Sequence, residues 1–283
     1  MSTRHPIGAA LAALAAAMLL FVAQPAPAAQ AAKPATRPAP PAKPARPAVR
    51  LATLDWEPYI GTRMPDQGYA AALVRAAFAD QGWTVQIEFY PWARALHLAG
   101  TGAVDGLMPE YYNPSRLAEF KYSAAFPGGP LVFYKRRGDP VSFAVDPSKQ
   151  PDAALRALRG KRFGVVRGYL NTQEFDAASY LTKEEANDDA TNLRKLVYKR
   201  IDLAVIDRRV AEHLIRTEYP GYRTRIEPMS PALAEVPLYI AFSRKSPRNA
   251  AALLAFNRGL AAMKKDGRVD ALYQRYILTP SGR

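Results

Sequence analysis

The sequence has 283 residues, 49% of them hydrophobic, with 39 Lys and Arg against 25 Asp and Glu for a formal net charge of +14, and it contains no cysteine. Such a length holds one or two domains with a sizeable core. The missing cysteine excludes a disulfide framework, thiol redox chemistry, thiolate metal sites and the N-terminal Cys that a lipid-anchored secreted protein needs.

Residues 1–28 read as a signal peptide, with Arg4 before an apolar run at 7–23 and small residues Ala26-Pro27-Ala28 at a cleavage point. The competing reading is a membrane anchor, which the alanine-rich run supports less well. Residues 29–49 form an Ala/Pro/Lys/Arg linker whose prolines at 34, 38, 40, 41, 44 and 47 favour extended, unpaired backbone. Export of this kind predicts a soluble periplasmic protein after cleavage. Setting aside Arg4 and the linker charges Lys33, Arg37, Lys43 and Arg46 lowers the net charge from +14 to +9 for the folded body. A secreted basic protein is not expected to meet nucleic acid, so anionic surfaces or ligands are the partners its charge fits.

From residue 49 the pattern alternates. A β-type run at 49–54 precedes a helix at 68–80 with Leu73, Val74, Ala77 and Phe78 on one face, and a strand at 84–90 with Val85, Ile87 and Phe89 in period two. A helix from Trp92, a short apolar strand at 104–108 and a strand at 131–135 follow, then a polar break at 136–140. The series restarts with a helix at 152–158, a strand at 162–166, helices at 171–179 and 190–198, a strand at 202–206, a helix at 208–217 and a strand at 222–227. A strand at 237–242 and helices at 247–264 and 269–276 close the chain. Strand-helix-strand series of this kind predict parallel α/β layers. Two consecutive sets predict two lobes, residues 50–136 with 232–283 and residues 137–231, with a ligand cleft between them.

The stretch from Trp92 to Arg116 carries the strongest chemical signal. Asn113-Pro114-Ser115-Arg116 reads as a helix start, where free backbone N–H groups and a guanidinium together suit a carboxylate. Enzyme motifs are thin: there is no Gly-x-Ser-x-Gly elbow and no phosphate loop, and Gly100-Thr101-Gly102 reads as a helix stop. His97 and His213 stand far apart, so no metal or cofactor is expected.

Several segments together resemble the extracellular solute-binding proteins of family 3, the periplasmic amino-acid-binding type, over about residues 50–278. They are Leu54-Asp55-Trp56-Glu57-Pro58-Tyr59, Pro91-Trp92-x-Arg94, Arg116 with Tyr122-Ser123-x-x-Phe126-Pro127, Leu158-Arg159-Gly160-Lys161-Arg162-Phe163-Gly164-Val165, Arg200-Ile201-Asp202-x-x-x-x-Asp207, and Asp266-Gly267-Arg268. The resemblance implies a two-lobed, type II periplasmic-binding-protein fold that closes on a small amino-acid-like ligand, without catalysis, as a monomer serving an inner-membrane ABC transporter or a sensor.

It also implies roles for single positions. Trp56 and Tyr59 would line the cleft, Arg116 would hold the ligand carboxylate, and Asp207 would pair with its ammonium, although Asp207 also suits the N-cap of the helix at 208–217. Thr172 stands nearest the hydroxyl residue that reaches the carboxylate from the second lobe, while Asn171 with Glu174 reads as a capping box around it. Glu110, in Pro109-Glu110-Tyr111-Tyr112, replaces small hydroxyl residues with a bulky acidic wall and points to a cationic or hydrogen-bonding ligand side chain. The alternative is a cyclohexadienyl or arogenate dehydratase on the same scaffold, with Glu110 or Glu174 as the acid.

Overall fold

The computed structural model describes residues 46–278. The expected signal peptide and residues 29–45 of the expected linker lie outside the described residues. Strand β1 (Ala48–Thr53) begins two residues before the linker was expected to end, and Val49 is already fully buried. Its apolar side chain belongs to the core, which is why proline content alone overextends the linker.

The first α/β set forms as its periodicity predicts. β1 is followed by α1 (Tyr69–Ala79), β2 (Thr84–Phe89), α2 (Trp92–Thr101) and β3 (Gly106–Glu110), and the three strands pair in parallel in the order β2-β1-β3. The face Leu73, Val74, Ala77 and Phe78 of α1 is fully buried. α2 stops at Gly102, whose φ of 81° is the left-handed cap that glycine adopts without strain. α1 lies against α7 (Asn249–Lys265), and a Cβ on Gly259 would come within 1.9 Å of the Ala77 carbonyl oxygen. Gly259→Ala is therefore expected to force the two helices apart and lower stability by about 1–3 kcal/mol in a denaturant melt.

The second set contains α3 (Pro151–Ala157), β6 (Arg162–Val166), α4 (Gln173–Ala177), β7 (Thr182–Ala186), α5 (Asp189–Val197), β8 (Leu203–Asp207) and α6 (Arg208–Thr217). β7, β6 and β8 are parallel neighbours. β7 was not expected: Thr182-Lys183-Glu184-Glu185-Ala186 buries only Ala186, so this edge strand carries no period-two apolar signal. β4 (Phe120–Tyr122) and β9 (Ile226–Pro228) are three-residue strands below the length at which a pattern is readable. The strand expected at 222–227 is mostly a 3-10 turn, Pro220–Thr224.

Two long strands join the sets. β5 (Phe126–Arg136) pairs antiparallel with β8, β9 and the first half of β10 (Ala234–Ser243), and the second half of β10 pairs antiparallel with β3 and β4. The chain thus passes between the sets along β5 and β10, ten or so residues before the polar break at 136–140, which is only the turn after β5. Within β5, Gly128 admits the partner strand: a Cβ there would meet the Val236 carbonyl oxygen at 2.0 Å. α8 (Arg268–Tyr273) continues into a wider turn, Gln274–Leu278, that closes the described chain.

Candidate functional site

The carboxyl ends of β1, β3 and β8 converge where the two sets face each other, as parallel α/β layers require. The loop after β1 brings Trp56 and Tyr59, the end of β3 brings Glu110 and Tyr111, and the end of β8 brings Asp207. Trp56 stacks on Tyr59 with ring centroids 4.8 Å apart, and Tyr111 meets Trp56 edge-on at 5.9 Å. Between them runs a cavity of about 30 Å³, lined by Trp56, Trp92, Glu110, Tyr111, Tyr169 and Leu170. Water fits there.

Polar contacts cross from one set to the other. The Tyr59 hydroxyl lies 3.1 and 3.3 Å from the two carboxylate oxygens of Asp207, and the Tyr111 hydroxyl lies 3.3 Å from Oδ2. Asp207 also accepts from the Arg209 and Val210 amides at 2.8 and 3.3 Å, so its capping use and its place in the cleft are both realised. Gly129 makes this meeting possible, since a Cβ there would stand 2.1 Å from the Tyr59 hydroxyl. Trp56 donates its indole N–H to Asp189 Oδ2 at 3.2 Å. Trp92 and Arg116 both donate to the Gly168 carbonyl, Trp92 at 3.0 Å, in the turn after β6.

Arg116 differs from its expected setting. It ends a single 3-10 turn, Pro114–Arg116, capped by Asn113 through the Ser115 amide, so no α-helix start stands behind it. Strand β4 begins at Phe120, three residues after Leu117, so the segment holds one turn only. Its guanidinium instead forms a 2.7 Å ion pair with Glu110, with side chains only 11% and 3% exposed. Thr172 also departs from expectation. It is itself the N-cap of α4, accepting from the Phe175 amide at 3.1 Å, while Asn171 bonds Asp176. It lines a depression with Glu174, Pro147 and Leu233, as Arg116 lines another with His97, Glu119 and Lys245.

Three buried carboxyl groups therefore share the cleft. Burial pushes Glu110 up to about 7 despite the opposing Arg116 charge. It pushes Asp189 up to about 7, against hydrogen bonds from Trp56 and Tyr169 and with a further raise from Asp207. Asp207 rises to about 6, burial outweighing two backbone amides and two tyrosine hydroxyls. Asp189 and Tyr169 escaped the sequence reading: Asp189 sits in Asn187-Asp188-Asp189, an ordinary helix-start sequence. Its only sequence sign is redundancy, because one acid suffices as a cap.

The family model of the bacterial extracellular solute-binding proteins, family 3, matches residues 51–279, nearly the whole described chain. The chain belongs to that family. Its solute-binding fold is the type II periplasmic-binding-protein fold, and solved structures match it closely in shape. A histidine kinase sensor domain with similarity to periplasmic binding proteins shares 21% identity over 81% of this chain and 96% of its own, with a TM-score of 0.67. An ancestral arginine-binding protein bound to arginine shares 20% over 82% and 98%, with a TM-score of 0.65. The GluR0 ligand-binding core from Nostoc punctiforme, in complex with L-glutamate, shares 17% over 81% and 98%, with a TM-score of 0.64. Among curated proteins none matches the sequence.

The family is one of binding proteins, and the solute-binding reading replaces the dehydratase alternative. Glu174, one of the two acids that alternative would use, is exposed beside Thr172. No helix among the described residues is long and apolar enough to cross a membrane.

Proposed function

We propose that this solute-binding protein is a periplasmic receptor whose two lobes close on a small amino-acid-like ligand and present it to an inner-membrane ABC transporter or a sensor. One lobe is built on β1–β4 with α7 and α8, the other on β5–β9, and β5 and β10 serve as the hinge. The observation that carries the reading is the pair of contacts from neighbouring rings of one lobe to buried carboxylates of the other, Trp56 to Asp189 and Tyr59 to Asp207.

A carboxylate is an acceptor only, so it is suited to an ammonium. In this reading Asp207 takes the ligand ammonium, the free donors of Arg116 take its carboxylate beside Glu110, and Trp56 covers the side chain. The guanidinium has five N–H donors, and two are engaged by Glu110 and Gly168. Ligand entry parts the lobes, and closure restores cross-lobe contacts with the ligand among them. The receptor acts as a monomer.

A thermal-shift screen of amino acids, polyamines and small carboxylates tests this. A ligand at about 100 times its Kd adds about 2.7 kcal/mol and should raise the melting temperature by roughly 5–10 °C. If no compound of the panel raises it, the receptor reading fails.

A further inference from the structure

Asp189 has no structural duty that explains its place. The cap of α5 is Asp188, whose side chain accepts from the Thr191 amide at 2.7 Å, so the neighbouring carboxylate is free of capping. Asp189 is nevertheless 6% exposed and faces the cleft from the second lobe. Its hydrogen-bond donor is the neutral Trp56 indole, and it forms no ion pair among the described residues. A buried carboxylate without a counter-charge is costly to keep.

The charges around it are unbalanced. Glu110, Asp189 and Asp207 are buried where the two sets meet, against Arg116, paired to Glu110, and Arg209, whose Cδ borders the same Gly129 position as Asp207. Three acids thus face two bases. A zwitterionic ligand leaves that excess unchanged, whereas a ligand with an extra cation reduces it. The two ligand-facing carboxylates are also adjacent, one held by Trp56 and the other by Tyr59, whose rings are stacked at 4.8 Å. Each carboxylate retains lone-pair capacity beyond its present donors.

We propose that Asp189 is a second ligand-anchoring carboxylate and that the ligand is a small dication, a basic amino acid whose α-ammonium meets Asp207 and whose side-chain cation meets Asp189. The inference rests on the cleft being the ligand site.

Calorimetric titration of the protein with L-lysine, L-ornithine, L-arginine, putrescine, L-glutamine and L-glutamate tests the proposal. At least one of the three basic amino acids is expected to bind about 10-fold or more tightly than glutamine and glutamate. Asp189→Asn, which still accepts from Trp56, is expected to lose about 10-fold or more of the affinity for that amino acid and several-fold less for glutamine. Putrescine binding as tightly as ornithine would support the dication with a diamine as its source. Glutamine or glutamate binding most tightly would overturn the inference and leave the receptor reading intact. Equal loss for all ligands in Asp189→Asn would overturn the selective role of Asp189. No binding by any amino acid or diamine would overturn the inference; if the wider thermal-shift panel also gives no rise, the receptor reading fails as well. The wild-type panel decides independently of how well the variant folds.

Discussion

Arg116→Ala is expected to abolish ligand binding and, separately, to destabilise the protein by about 3 kcal/mol near pH 8. The binding loss follows from charge-assisted hydrogen bonds of roughly 1.5–3 kcal/mol each, so two lost bonds weaken affinity by about 100-fold or more. The stability loss follows from Glu110, only 4% exposed and left without its 2.7 Å partner. Protonation relieves a lone buried carboxyl, so the destabilisation should shrink at pH 5. The double substitution Arg116→Ala with Glu110→Gln separates the two effects. It is expected to regain most of the stability in a denaturant melt and none of the binding in calorimetry. Recovery of binding by the double variant would show that Arg116 serves only to neutralise Glu110.

Stability of the ligand-free protein is expected to fall, and affinity for a cationic ligand to rise, as pH increases from about 4 to about 8. Burial raises Asp189 to about 7 and Asp207 to about 6, both from 3.8. Their stabilising contribution is complete below the unfolded value, where both states are protonated, and is lost as pH rises through the folded values, because the native state then holds protons the unfolded chain has released. The decline should amount to at most about 7 kcal/mol across that range, at about 1.4 kcal/mol for each pH unit by which the two values are raised.

Asp202 and Asp80, lowered by hydrogen bonds from Arg162 and Arg268, lose their contribution only below pH 4. His213 is lowered by burial despite Glu57 at 3.0 Å, and its effect has the opposite sign, stability rising with pH. Comparing wild type with Asp189→Asn in melts at pH 5 and pH 8 isolates the carboxyl effect, which should be flatter in the variant. A cationic ligand stabilises the ionised carboxylates, so binding near pH 6 should release protons, measurable as calorimetric heats that change with the buffer's ionisation enthalpy. Heats independent of buffer would contradict the assignment.

Much of the fold was legible because its signals are local. The apolar face of α1, the period-two pattern of β2 and the glycine cap of α2 follow from neighbouring residues, and the family motifs placed Trp56, Tyr59, Arg116 and Asp207 in sequence order. The strands that defeated the reading are β4 and β9, too short for a period, and β7, whose polar edge faces no core. The strand expected from residue 49 begins at Ala48, one residue earlier, beside Thr84 of β2.

The site was legible only in part. Asp207 could be read from its place after an apolar strand, and Glu110 from its departure from the expected small residues. Glu110 as the internal partner of Arg116 could not be read, because it depends on how β3 and the Pro114–Arg116 turn are set against each other. By itself the sequence determined the family, the α/β alternation and the residue types offered to the cleft, since periodicity and motif order act over short range. Only the tertiary structure decided which groups meet there, because Trp56 and Asp189, 133 positions apart, are brought within 3.2 Å by the packing of one set against the other.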